Sequence, residues 1–95
     1  MQNTFTLHCI PWRAQAPLIK DLRMTAYRMG LLSLHESRCD EADESSNHAL
    51  ILSESGKPLG CARITTDGKA ERMAVLPHQE RNKIEAALQM IAWLN

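Results

Sequence analysis

The sequence predicts one α+β domain, an α/β sandwich in which helices pack against a sheet. Three features predict this class. An alternating apolar pattern followed by a helical pattern begins the chain, three strand-like stretches separated by turn residues follow, and another helical pattern ends it. The predicted order is strand, helix, loop, antiparallel three-strand meander and helix, in a single domain over residues 1–95.

The first strand and the first helix are predicted from two different periodicities. Apolar and polar residues alternate over residues 4–10, as in a half-buried strand, and Pro11 ends the pattern. The apolar face of this strand comprises Phe5, Leu7 and Cys9. Over residues 17–29 the spacing becomes helical, with Pro17 suited to the first turn and Gly30 to a left-handed end. The apolar stripe of this helix comprises Leu18, Leu22, Ala26 and Met29.

A solvated loop and then the meander are predicted for the middle of the chain. Residues 31–34 allow a short helical turn, and residues 36–47 are too polar and acidic to join the core. The strands of the meander are predicted at residues 48–53, 58–66 and 69–75, joined by a turn at 54–57 and a hairpin at Asp67-Gly68. The final helix follows Pro77, and its apolar stripe comprises Ile84, Ala87, Leu88, Ile91 and Leu94.

Composition and charge exclude several functional classes. Eleven basic residues balance eleven acidic ones, so no net field favours nucleic acid or anionic lipid. No stretch approaches the ~18 apolar residues of a membrane span, and the first residues lack a secretion signal. The cysteines at 9, 39 and 61 are too widely spaced for a disulfide framework or a zinc ribbon. We therefore expect a cytoplasmic protein that binds neither nucleic acid nor membrane.

Four short pieces of sequence stand out by their order and spacing. They are Leu22-Arg23 in the first helix, Asp43 five residues before His48, Gly56-x-x-x-Gly60-x-x-Arg63 across the hairpin, and Arg72-Met-Ala-Val-Leu-Pro77 before the last helix. Together they resemble the first two-thirds of a GCN5-related N-acetyltransferase (GNAT) domain, and the resemblance spans most of the chain. It implies an acyl-CoA N-acyltransferase-like fold, of which this truncated domain holds the N-terminal part only.

The resemblance also implies a cofactor, acetyl-CoA, and an amine as the acceptor of the acetyl group. In the family, the pantetheine arm bonds to the backbone of the strand that matches Met73, Ala74 and Val75. The turn after that strand holds the pyrophosphate, next to the N-terminus of a helix. By this match, the phosphate-binding residues of the chain are Arg81, Asn82, Lys83 and Ile84.

The chain departs from the family at the phosphate turn. The usual R/Q-x-x-G-x-G/A motif falls, without a gap, on Glu80, Lys83 and Glu85. A shift by one residue restores Arg81 and Ala86 but moves the helix off its apolar phase. Because carboxylates repel a pyrophosphate while Arg81 and Lys83 attract it, we expect binding to be weak.

Catalytic groups are scarce in the sequence. Glu71 is a candidate general base on its position, since on a regular strand it faces the same way as Met73 and Val75, beside the thioester. The alternative is a surface glutamate paired with a lysine. Family members continue into elements that complete the acceptor pocket and often carry a tyrosine acid, whereas Tyr27 lies in the first helix. No residue of the chain inherits the acid's role.

Histidine, cysteine and tryptophan residues have structural interpretations that compete with functional ones. His48 could be a base or a metal ligand, but we expect its ring to hydrogen-bond the acidic loop. His35 and Cys39 have the i, i+4 spacing of two zinc ligands, yet no second pair accompanies them and we predict no metal site. Cys61 is expected to be a small buried hydrophobe. The two residues expected to anchor the core or an interface are Trp12 and Trp93.

The predicted sheet ends at the last strand of the meander, which leaves an open edge. We expect two copies to cover it by associating through residues 69–75 and the final helix, where Met90-Ile-Ala-Trp-Leu supplies apolar contacts. Two functional hypotheses follow. The first is a GNAT-like N-acetyltransferase that binds acetyl-CoA, and the alternative is a non-catalytic GNAT-derived binding or regulatory module that acts through self-association.

Overall fold

The fold is a small α+β domain built on one antiparallel sheet. The computed structural model describes residues 4–94, with the side chains of residues 4–92. Its elements are β1 (Phe5–Pro11), α1 (Trp12–Arg28), α2 (Leu34–Ser37), α3 (Ala42–Ser45), β2 (Asn47–Ser53), β3 (Pro58–Ile64), β4 (Ala70–Val75) and α4 (Arg81–Leu94). The strands pair in the order β1-β2-β3-β4, and β4 forms one edge of the sheet. The predicted class and the order of the four strands and two long helices are therefore confirmed, while α2 and α3 are additional.

Each face of the sheet has its own apolar core, because neighbouring side chains of a strand point to opposite faces. In β2, Ala49 and Ile51 face α4 while Leu50 faces α1. The core on the α4 side comprises Phe5, Ala49, Ile51, Leu59, Ala62, Ile64, Val75, Ile84, Leu88 and Ala92. The core on the α1 side comprises Trp12, Ile19, Leu22, Ala26, Leu32, Leu50, Cys61 and Ala74. Within residues 4–94, no helix is long and apolar enough to cross a membrane.

Helix α1 begins earlier than predicted and ends as predicted. It starts at Trp12 and is kinked at Gln15, so Pro17 lies in the first turn after the kink. At its end Gly30 has φ 75°, and the Gly30 N–H donates to the Tyr27 carbonyl at 3.0 Å. This left-handed glycine satisfies carbonyls that the helix would otherwise leave unpaired.

The buried face of α1 differs from the predicted stripe. Met29 is 52% exposed, so its assignment to the apolar stripe is wrong. Ile19 and Arg23 are fully buried instead. A guanidinium inside the core requires partners, because a buried unpaired charge is strongly destabilising.

The acidic segment 36–47 is not the solvated loop that its composition predicts. It contains the last residues of α2 and the whole of α3, and two of its polar residues, Ser37 and Asp43, are buried. Ser33 caps α2 by accepting the Glu36 N–H at 3.1 Å. The segment is held against the sheet by charged side chains from α1, β3 and β4.

Strand β4 contains a bulge. Cys61 pairs with Ala74 and Arg63 pairs with Glu71, so two residues of β4 lie opposite one residue of β3. Within the bulge, Arg72 has φ 50°, a left-handed conformation that is costly for a residue with a β-carbon.

The bulge reverses the side-chain alternation expected for β4. Met73 and Val75 pack into the core on the α4 side, whereas the Glu71 carboxylate accepts hydrogen bonds from Arg63, whose own partners lie on the α1 side. The prediction that Glu71 faces the same way as Met73 and Val75 is therefore wrong. An extra residue in a strand shifts every later side chain to the other face.

Candidate functional site

The junction of β4 and α4 contains the residues predicted to bind the cofactor. Ala74 and Val75 are buried and Met73 is half-buried, so this segment presents mainly backbone at the sheet edge. The Leu76 N–H donates to the Leu59 carbonyl at 2.9 Å, which extends the pairing with β3 past the end of β4. Unpaired strand edges offer N–H and C=O groups to an extended ligand.

The first turn of α4 carries two cations, and both are paired with carboxylates. Arg81 Nε lies 2.9 Å from Glu85 Oε1, and Lys83 Nζ lies 3.9 Å from Glu80 Oε2. Glu80 also accepts a hydrogen bond from Thr4 Oγ1. The two carboxylates that depart from the family motif therefore lie against the two cations that attract a phosphate.

Two further residues of the predicted phosphate site have different surroundings. Asn82 is exposed in the first turn of α4, where helix N–H groups lack intrahelical partners. Ile84 has no exposed surface and packs in the core, and its N–H donates to the Glu80 carbonyl at 3.0 Å. A ligand at this junction would meet Asn82 but not the Ile84 side chain.

The most extensive polar cluster lies on the other side of the sheet, between α1 and the acidic segment. Arg23 donates from Nη1 to Asp43 Oδ2 at 3.0 Å and from Nη2 to Asp43 Oδ1 at 2.9 Å. The Asp40 N–H donates to Asp43 Oδ2 at 3.0 Å, and Arg63 Nη1 donates to Asp43 Oδ1 at 3.2 Å. The Asp43 carboxylate thus accepts four hydrogen bonds, although the residue is only 1% exposed.

Two more arginines extend the cluster toward the surface. Arg63 Nη1 donates to Asp40 Oδ1 at 2.5 Å, and its other guanidinium nitrogens donate to Glu71 Oε2. Arg72 Nη2 donates to Asp40 Oδ2 at 2.7 Å. The Asp40 carboxylate is therefore shared between two guanidinium groups that come from neighbouring strands.

The pairing lowers the pKa of both aspartates in the cluster. Hydrogen bonds from Arg63 are the main reason that the pKa of Asp40 falls to about 2. Burial raises the pKa of Asp43, but the hydrogen bonds from Arg23 and the Asp40 N–H outweigh it and hold that pKa below its ordinary value. Both carboxylates are thus ionised at neutral pH and belong to the architecture of the domain.

His48 joins this cluster to the aromatic side chain at the start of α1. Its Nε2 donates to the Asp43 carbonyl at 2.9 Å, which confirms the predicted bond to the acidic segment. The imidazole lies 5.1 Å from the Trp12 ring, between centroids, and the Trp12 ring also contacts Lys20 and Arg23. Trp12 is buried, in agreement with its predicted role as an anchor, and the Trp93 side chain lies outside the described residues.

We expect His48 to make the folded state less stable in mild acid. Burial is the main cause that lowers its pKa below 6.5, so the unfolded chain binds a proton more readily than the folded one. Stability should therefore be complete above pH 6.5 and fall as pH decreases below it. Urea unfolding between pH 7.5 and pH 5 measures this slope, which should be flatter in His48→Gln. His8→Gln, at an exposed position, is the control, and equal slopes in wild type and His48→Gln would contradict the prediction.

The remaining predicted residues take structural positions. Cys61 is buried as predicted, and burial raises the pKa of its thiol to about 12, so it is protonated at neutral pH. Helix α2 ends at Ser37, so His35 and Cys39 do not share a helix face. Over residues 4–94, the structure contains no group of three or more histidine, cysteine or acidic side chains arranged to hold a metal ion.

Two surface clefts are lined by other parts of the fold. One, of about 340 Å³, is lined by Trp12, Lys20, Cys39, Asp40, Glu41 and Glu44. A smaller one, of about 250 Å³, is lined by Ser45, Ser46, Asn47, Ile64, Thr65 and Thr66. Neither cleft includes residues of β4 or α4, so cofactor binding at the β4–α4 junction would use an open edge.

The arginine–aspartate cluster is not apparent from the sequence alone. The pieces that carry the GNAT resemblance include four residues of the cluster, but the resemblance assigned them no contacts with one another. These residues are Arg23, Asp43, Arg63 and Arg72. Two positions in the sequence indicate that these arginines could be buried. Arg23 directly follows Leu22 of the helix stripe, and Arg63 lies within a predicted strand. Comparison of the chain with protein-family models, with curated proteins and with solved structures gives no match.

Proposed function

We propose that this chain is a GNAT-like N-acetyltransferase domain that binds acetyl-CoA at the β4–α4 junction. The pantetheine arm would lie along the backbone of Met73, Ala74 and Val75. The pyrophosphate would lie at the first turn of α4, near Arg81 and Lys83. When bound, the cofactor would supply the acetyl thioester that an amine attacks. The candidate for the base, Glu71, lies on β4 and accepts hydrogen bonds from Arg63.

A single observation carries the proposal. Strand β4 is one of the two edge strands of the sheet, and the chain passes from Val75 to the start of α4 at Arg81 through a short connection. An edge strand leading directly into a helix N-terminus brings free backbone groups and the positive end of a helix dipole together. An extended thiol cofactor that ends in phosphates matches both features.

The donor set at this junction fits a weakly held phosphate ligand. Arg81 and Lys83 are partly or largely exposed and long enough to turn toward a phosphate. To do so, they must leave Glu85 and Glu80, whose carboxylates stay close and repel the ligand. Residues 76–94 contain no glycine, so the close backbone approach that tight pyrophosphate binding uses is not offered here.

We expect acetyl-CoA to bind with a dissociation constant near the millimolar range and to raise the melting temperature. Ligand binding to the native state stabilises it by mass action. Calorimetric titration gives the affinity, and Arg81→Ala or Lys83→Ala should weaken it about five- to tenfold, because each removes a charge-assisted contact. Glu80→Gln, which removes a repelling carboxylate, should strengthen it.

The matched control for the cation variants is Lys57→Ala, at an exposed lysine in the β2–β3 turn. This variant has the same change in net charge and should bind as the wild type does. The absence of both binding heat and a melting-temperature shift at millimolar acetyl-CoA would contradict the proposal. Wild-type affinity in both Arg81→Ala and Lys83→Ala would contradict the placement of the phosphates.

The alternative is a non-catalytic module that acts through self-association. The edge position of β4 and the 63% exposure of Met90 on α4 favour a second copy as the partner. Light scattering after size exclusion would then give a molecular mass of twice 10.7 kDa for the wild type. The Met90→Asp variant should have the monomer mass of 10.7 kDa. A mass of 10.7 kDa across micromolar concentrations in the wild type would contradict self-association.

A further inference from the structure

The backbone of Arg72 is unusual for its position in a strand. Among the described residues 4–94, it is the one non-glycine residue with positive φ. Glycine adopts this conformation without a steric cost, whereas the β-carbon of arginine opposes it. Something outside β4 must therefore hold Arg72 in the bulge.

The Arg72 side chain supplies that restraint. It is almost completely buried, and its guanidinium reaches across to residues 35–40. Nη1 donates to the carbonyls of His35 at 2.6 Å and Arg38 at 3.0 Å, and Nη2 donates to Asp40 Oδ2 at 2.7 Å. All three acceptors lie on one segment of chain, more than thirty residues away in sequence.

A second arginine, Arg63, connects the same segment to Glu71, the residue that directly precedes Arg72 in β4. Arg63 bonds Asp40 Oδ1 and Glu71 at once, while Arg72 bonds Asp40 Oδ2. Both oxygens of Asp40 therefore accept hydrogen bonds from arginines, one within the bulge and one on β3. Asp40 also lines the larger cleft, together with Cys39 and Glu41.

We propose that Arg72, His35, Arg38 and Asp40 form a clamp that fixes the bulge of β4 from outside the strand. The restrained backbone of Arg72 sets the faces of Met73 and Val75 relative to Glu71, and with them the geometry of the sheet edge. The clamp also couples the acidic cleft to that edge, since Asp40 belongs to both. This inference concerns the conformation of the strand and stands independently of the proposed cofactor.

The first test compares Arg72→Gly with Arg72→Ala. Both lose the guanidinium that holds the backbone, so alanine at 72 should leave the left-handed conformation, and amide hydrogen exchange over residues 70–75 should increase about tenfold. Glycine adopts that conformation without a steric cost, so Arg72→Gly should increase this exchange less. In an ordinary strand position the order is the opposite, because glycine weakens strands. Hydrogen exchange measures both, and exchange over residues 70–75 in Arg72→Ala that equals the wild-type rate, or is no faster than in Arg72→Gly, would overturn the proposal.

The second test does not require the removal of Arg72. Asp40→Asn should increase amide hydrogen exchange over residues 70–75 about tenfold or more, because one support of the bulge is weakened while the core stays intact. Glu41→Gln, at the adjacent exposed acid of the same cleft, is the control and should leave these rates unchanged. Equal exchange over residues 70–75 in wild type and Asp40→Asn would overturn the coupling between cleft and edge.

Discussion

Replacing Asp43 by alanine is expected to lower the free energy of unfolding by about 3–5 kcal/mol. The reason is the position of this carboxylate between two buried guanidinium groups, Arg23 and Arg63. Without it, Arg23 keeps a buried positive charge with no carboxylate partner among the described residues, which is far more costly than the loss of one hydrogen bond. Domains of this size have about 5–15 kcal/mol of stability in total, so the variant should be close to unfolding at 25 °C.

Urea unfolding followed by circular dichroism measures this effect. Glu44→Ala is the matched control, since Glu44 is the next residue of α3 and is exposed, and its substitution should change stability by less than about 0.5 kcal/mol. An Asp43→Ala variant with the stability of Glu44→Ala would contradict the interpretation of the cluster as a buried ion-pair network.

A double variant separates the loss of the pair from the isolation of a charge. Arg23→Met combined with Asp43→Leu removes both partners, and apolar replacements of similar volume often restore the stability that a broken buried pair loses. We expect the double variant to be more stable than Asp43→Ala, although within the described part of the chain Arg63 then keeps only Asp40 and Glu71 as carboxylate partners. A double variant less stable than Asp43→Ala would show that the cluster is needed as a whole.

Replacing Leu88 by alanine is expected to lower the free energy of unfolding by about 2–5 kcal/mol. Leu88 is fully buried where α4 packs on the sheet, in a core that also contains Ile84 and Val75. Truncation would leave a cavity, because β2 and β3 pair with neighbours on both sides and have limited freedom to collapse into it. Loss of α4 packing should also remove the helix N-terminus from the proposed phosphate site.

The matched control for Leu88→Ala is Gln89→Ala on the same helix. Gln89 is exposed and of similar size, and both residues favour helices, so its substitution should change stability by less than about 0.5 kcal/mol. Thermal and urea unfolding of the two variants give the comparison. If the free energies of unfolding of Leu88→Ala and Gln89→Ala differ by less than about 1 kcal/mol, the packing of α4 does not stabilise the core on its side of the sheet.

Local pattern accounts for most of the secondary structure. The alternation in β1, the turn residues of the meander and the apolar spacing of both long helices each act over a few residues, so the sequence reveals them directly. Gly30 ends α1 because glycine readily adopts the left-handed conformation found there. Pro17 lies in the first turn after the kink because its backbone conformation suits the start of a helix. His48 was also placed correctly, because its partner Asp43 is only five residues away.

The sequence by itself therefore determined the α+β class, the order of the main elements and the faces of most of their apolar stripes. Met29 and Cys9 are exceptions because they are exposed, and the side chain of Leu94 lies outside the described residues. Tertiary structure decided the rest. The burial of Arg23 and Asp43, the folding of residues 36–47 onto the sheet and the bulge at Arg72 depend on partners about twenty or more residues apart in sequence. Charged residues in a polar segment look solvated until the fold supplies opposite charges, because burial of a charge is stable only when it is paired. The bulge that contains Arg72 also decided that Glu71 faces away from Met73 and Val75, which the alternation of a regular strand does not predict.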